Sequence, residues 1–124
     1  MTYTAATSLA QATSLIAATG HQDFGLFASG YPASGNVSQA ILKYTYSVNT
    51  FVTLGATLTH AHGAGVAASN AETGLFLGGE DEISGSISTY VDKYDFATSA
   101  IASGSNMSKG RGYGGSASSA PGHF

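Results

Sequence analysis

Two histidines separated by one residue carry the clearest hint of chemistry in this sequence. His60 and His62 would lie on the same side of a β-strand, where both imidazoles could reach one metal ion. No carboxylate or third histidine lies nearby in the sequence, and the positions 49 residues later hold Lys109 and Arg111. Cations at equivalent positions favour a polar, partly solvated loop that faces anions or lines a channel. We therefore predict no metal and no other cofactor.

The acidic residues offer few further sites. Glu80-Asp81-Glu82 is the only charge cluster, and it lacks the alternating oxygen ligands of a calcium loop. Its counterpart 49 residues earlier is Tyr31-Pro32-Ala33, which favours a solvated loop. Asp92 and Asp95 flank Lys93-Tyr94, and we expect both to be exposed strand positions.

Catalytic motifs are incomplete in this sequence. There is no cysteine to act as a nucleophile. The only approach to Gly-x-Ser-x-Gly is Gly114–Ser118, which lacks the last glycine. The glycine-rich run 110–115 is not followed by a helix pattern, as a phosphate-binding loop requires. The sequence therefore predicts a protein that is not an enzyme.

Composition excludes several further classes. Gly, Ala, Ser and Thr make up more than half of the 124 residues, and only 9% are charged. Four Lys and Arg against seven Asp and Glu argue against nucleic-acid binding. No apolar run approaches the roughly 18–20 residues that cross a bilayer, so we expect no membrane association. No Lys or Arg precedes Lys43, so the basic start of a secretory signal is not expected either.

The chain repeats with a period near fifty. Phe24–Gly30 recurs as Thr73–Gly79 after 49 residues, and Lys43–Tyr46 recurs as Lys93–Phe96 after 50. A further segment occurs three times, as Ser8–Thr19, Thr57–Ala68 and Asn106–Ala117. Within one domain, 1–124, these shifts predict units at about 15–63 and 64–112, a third inner-strand copy at 113–118 and a tail at 119–124.

Each unit is predicted to consist of short strands. Aromatic and β-branched residues dominate Ile41–Tyr46 and Val91–Phe96, and glycines close the strand that precedes each of them. Helix is poorly supported, with the Ala-rich stretch Ala5–Ala18 as the best rival. That alternative would make the two repeats an open sandwich with an N-terminal helix.

These motifs resemble those of kelch-type β-propeller blades. The resemblance rests on the small-residue strand Gly65–Ser69, the strand Gly74–Gly79 with its terminal Gly-Gly, and the Val-Asp-Lys-Tyr-Asp-Phe strand. The first unit departs from it, because Ser29-Gly30 replaces Gly-Gly. The pattern is also similar to repeats of bacteriophage and cyanophage structural proteins. It implies an all-β fold with two four-stranded blades per chain.

Two blades are too few for a closed propeller, which has about four to eight. The resemblance therefore implies completion by homo-oligomerisation, with a homotrimer favoured and a tetramer second. The third copy of the inner strand could be exchanged with a neighbouring chain. In such a ring His60, His62, Lys109 and Arg111 would form an axial polar ring at one rim.

The resemblance implies a non-enzymatic virion structural protein, either a capsid decoration protein or a tail or fibre component. Its expected location is the virion, and its expected partners are further copies of itself and other virion proteins. The alternative is a carbohydrate-binding lectin or adhesin, since two-blade chains that form trimers resemble certain sugar-binding propellers. Glycans would then be partners, with Tyr31 and Tyr90 as the side chains that stack on the sugar.

Overall fold

The computed structural model describes residues 7–9, 13–14, 16–32, 37–81 and 86–110. These residues form β-strands, turns and loops, and no helix able to cross a membrane occurs among them. In chain order the strands are β1 (Thr13–Ser14), β2 (Ala17–Gly20), β3 (Phe24–Ala28), β4 (Tyr31–Pro32), β5 (Ala40–Thr45), β6 (Thr50–Thr57), β7 (His62–Gly63), β8 (Val66–Ser69), β9 (Thr73–Leu77), β10 (Glu80–Asp81), β11 (Val91–Asp95) and β12 (Ile101–Ser103). The all-β prediction is confirmed, and the alternative of an N-terminal helix over Ala5–Ala18 is wrong where β1 and β2 lie.

Two four-stranded antiparallel sheets contain most of these strands. The first sheet has the order β2-β3-β5-β6, and the second has the order β8-β9-β11-β12. Two short pairs, β1-β4 and β7-β10, lie beside them. The β2 strand occupies one edge of the first sheet. The N-terminal copy of the repeated segment therefore supplies that edge itself, while the C-terminal copy at 113–118 lies outside the described residues.

The two units share their tight turns. Gly78 and Gly79 have φ angles of 63° and 92°, and Ser29 and Gly30 have φ angles of 67° and 99°. A positive φ is unfavourable for serine, because its Cβ crowds the backbone. The Ser29 hydroxyl donates a hydrogen bond to the backbone oxygen of His62, which helps to hold the turn. The first unit therefore makes the same turn as the second without the Gly-Gly pair.

The core lies between the two sheets. In the first sheet, register places alternate residues of β3 on the side that faces the second sheet, and Leu26 is completely buried there. In the second sheet, Phe76 and Tyr94 face back and are also completely buried. The buried cluster consists of Ala17, Phe24, Leu26, Ala28, Ile41, Leu58, Ala67, Phe76 and Tyr94.

Each sheet also has an outer face that points away from the core. We call the side of the first sheet with Phe27, Leu42, Tyr44 and Phe51 the first outer face, and the side of the second sheet with Val66, Ala68, Leu75, Leu77 and Lys93 the second outer face. Apart from the exposed Lys93, these side chains are half-buried. Both outer faces are therefore largely apolar.

Candidate functional site

The predicted site residues that the structure describes gather at one end of the two sheets. The meander places the connections β3–β5, β6–β8 and β9–β11 at the same end, opposite the four tight hairpins. Tyr31, His60, His62 and Tyr90 lie in these connections, and the exposed Lys109 follows β12. Arg111 lies outside the described residues. The loop end is therefore the candidate functional site.

His60 and Tyr90 form a stacked aromatic pair. Their ring centroids are 3.6 Å apart and their planes differ by only 6°. Both side chains are half-buried. The stack joins the connection that leaves the first sheet to the connection that enters β11. The sequence had assigned these residues to different roles, His60 to a polar ring and Tyr90 to sugar stacking.

A hydrogen-bonded chain runs from this stack to a buried carboxylate. The Thr59 hydroxyl donates to Asp92 Oδ1 at 2.5 Å, and the Thr59 amide donates to Asp92 Oδ2 at 3.1 Å. The same hydroxyl lies 2.9 Å from Nδ1 of His60. Its single hydrogen goes to Asp92, so it accepts from a protonated Nδ1.

Asp92 is completely buried, so the prediction of an exposed strand position is wrong for it. Lys93 is exposed and Asp95 is exposed, as alternation along β11 requires. The alignment of the two units could have predicted this burial, because the counterpart of Asp92 in the first sheet is the apolar Leu42. A carboxylate at a position that is apolar in the other unit needs hydrogen-bond donors, and Thr59 supplies two.

Tyr31 contacts its own repeat counterpart. Its hydroxyl donates a 2.6 Å hydrogen bond to Oε2 of Glu80, which lies 49 residues later. Its ring lies against Gly63, where an added Cβ would come within 2.2 Å of a ring carbon. Glu80 is half-buried in this contact, whereas the sequence predicted a solvated acidic loop. The side chain of Tyr31 is thus held by contacts within the chain.

His62 is separated from His60 by its surroundings. Its exposed fraction is 1%, and it belongs to β7, which pairs with β10. Its backbone oxygen accepts hydrogen bonds from Ser29 Oγ and from the amide of Gly30. The prediction of a partly solvated position is therefore wrong for His62. Among the described residues, no group of three or more His, Cys, Asp and Glu side chains could hold a metal ion.

Comparisons with known proteins inform the fold alone. No protein-family model and no curated protein matches this sequence. Among solved structures, the chain is similar to one described as "Structure of YjhT", with a TM-score of 0.71 and 10% sequence identity over 81% of this chain. The match spans 39% of the YjhT chain. At this identity the likeness shows a common arrangement of strands.

Proposed function

We propose that this chain is a non-enzymatic structural subunit whose two sheets are two blades of a propeller completed by further copies. The observation that carries the proposal is a difference in burial between repeat counterparts. Leu26 is completely buried, but its counterpart Leu75 on the second outer face is half-buried. Phe76 is completely buried, but its counterpart Phe27 on the first outer face is half-buried. The outer faces therefore carry the same apolar residue types as the core faces, although a single chain leaves them half-buried.

The two outer faces are counterparts of the two faces that meet in the core. The second outer face repeats the positions of the first sheet's core side, and the first outer face repeats those of the second sheet's core side. One copy can therefore pack its first outer face on the second outer face of another. Such a head-to-tail interface generates a ring if the rotation closes. Three chains would give six blades, and four chains would give eight.

The proposed place of this ring is a virion, as a capsid decoration protein or a tail or fibre component. The resemblance to phage structural repeats supports this role. A ring of this kind would act by burying interface and by presenting a rigid surface to other virion proteins. No turnover is required for either task.

Light scattering during size exclusion tests the ring. We expect a single species close to three times the chain mass of 12.4 kDa, with four times as the second expectation. A folded monomer at high protein concentration would contradict the proposal. If the ring forms, sedimentation with purified capsids should carry the protein down, and capsids that already hold their full complement should not.

A carbohydrate-binding role is the second candidate, and the stack of Tyr90 on His60 favours it. An aromatic pair stacked face to face and held at the loop end offers a rigid platform for a sugar ring. A glycan array tests this role directly. Binding that is lost in Tyr90→Ala and kept in Val48→Ala, at the opposite end of the sheets, would support it.

A further inference from the structure

A groove of about 450 Å³ crosses the second outer face near the tight hairpins. It is open to solvent along the sheet, and its walls combine small and apolar side chains with one cation. The lining residues are Ala68, Ser69, Asn70, Thr73, Leu75 and Lys93.

The same place in the first sheet is filled by aromatic rings. His21 and Phe24 are the counterparts of Asn70 and Thr73. Both contact Phe96 of the second sheet, with centroid distances of 5.4 Å from His21 and 5.7 Å from Phe24. The groove thus lies where two smaller side chains replace two rings, and among the described residues no counterpart of Phe96 reaches it.

Tyr46 is the counterpart of Phe96, and it is 53% exposed. Its hydroxyl lies 3.2 Å from the position of a Cβ at Gly25, just as the Phe96 ring lies 3.3 Å from the position of a Cβ at Gly74. Gly25 and Gly74 are themselves repeat counterparts. Tyr46 therefore lies over Gly25 on the first outer face, just as Phe96 lies over Gly74 on the core side of the second sheet.

We propose that the groove on the second outer face receives Tyr46 of a second copy of this chain. This inference rests on the proposed head-to-tail assembly and specifies its contact. The contact of Phe96 with His21 and Phe24 within the chain is the model for this contact between copies. In the groove, the larger side chain of Tyr46 would pack against the smaller side chains of Asn70 and Thr73. Lys43 places its Nζ 4.2 Å from the centroid of Phe24. Lys93 has no such ring at position 73, and an inserted Tyr46 supplies one.

Disulfide trapping provides the test, since the chain contains no cysteine. Tyr46→Cys and Thr73→Cys are combined in one chain. Within a chain the two positions lie on opposite outer faces with both sheets between them, so a disulfide can join only different copies. Mild oxidation should give covalent multimers on non-reducing gels, ending at the ring size. The control, Val48→Cys with Thr73→Cys, uses an exposed residue of the same turn and should cross-link at least about tenfold more slowly.

The outcomes separate this contact from the assembly itself. Rapid trapping together with a multimeric mass supports both. A multimeric mass with no faster trapping than the control overturns the groove contact, because copies then meet through other surfaces or another segment covers the groove. A monomer without trapping overturns the assembly as well. Tyr46→Ala tests the contact independently. We expect it to raise the dissociation constant of the assembly at least about tenfold, whereas Val48→Ala should leave that constant unchanged.

Discussion

Removal of the Asp92 carboxylate should destabilise the protein strongly, although no ion pair is broken. Asp92→Ala deletes the acceptor of two hydrogen bonds from Thr59 and opens a space in the core. Hydrogen bonds to a charged group contribute roughly 1.5–3 kcal/mol each, and two bonds from one residue do not add fully. We therefore expect a loss of about 2–4 kcal/mol in the free energy of unfolding.

Thermal and chemical unfolding measure this loss at a fixed protein concentration, since the proposed assembly would make stability depend on concentration. For a chain of this size the midpoint should fall by about 4 °C for each kcal/mol. The comparison variant is Asp95→Ala, which removes an exposed carboxylate of the same strand whose two hydrogen bonds, from the amides of Ala97 and Thr98, are open to water. Its midpoint should change much less than that of Asp92→Ala.

A double-mutant cycle identifies the partner. Thr59→Val removes the hydroxyl at nearly constant size, and the coupling between Thr59 and Asp92 should reach at least about 1 kcal/mol. Effects that add within about 0.5 kcal/mol would refute the hydrogen-bond reasoning, as would an Asp92→Ala loss no larger than that of the Asp95 control.

Two further predictions concern the loop end and the opposite end of the sheets, where the tight hairpins lie. Gly63→Ala places a Cβ within 2.2 Å of the Tyr31 ring and should cost about 1–3 kcal/mol in urea unfolding, whereas Gly55→Ala meets nothing within 4 Å and should cost nothing. The pKa of Asp95 is lowered from 3.8, chiefly by the backbone hydrogen bond from Thr98. Its contribution to stability is therefore present above the unfolded pKa and lost as pH falls through the folded value. Asp95→Asn should flatten the acid limb of a stability–pH curve below about pH 4, and an unchanged limb would contradict this assignment.

Much of the strand pattern could be predicted because it depends on local chemistry and on repetition. The shift of 49 that relates Phe24–Gly30 to Thr73–Gly79 also relates β3 to β9. Aromatic and β-branched residues marked β5 and β11 in the same way. The Ala-rich N-terminal stretch was ambiguous, because alanine favours helix by itself while pairing with β3 makes Ala17–Gly20 a strand.

The candidate site was only partly visible in the sequence. His60 and Tyr90 could be selected as polar and aromatic residues of loops, but their stacking depends on two connections that meet across the sheets. His62 follows His60 by two residues and is nevertheless buried, because it belongs to the β7-β10 pair while His60 lies in the loop before β7. Asp92 could have been found as the carboxylate opposite Leu42 in the repeat. Its donor Thr59 could not, since that contact joins residues 33 positions apart.

By itself, the sequence determined the period, the strands β3, β5, β9 and β11 and the residues that share one side of each of them, because the two-residue alternation of a strand is a local property. Only the tertiary structure decided which side of each sheet is covered. Leu26 and Leu75 have the same residue type at the same repeat position, yet one is completely buried and the other is half-buried. Burial depends on the neighbour that packs against a face, and the neighbour is set by how the sheets come together.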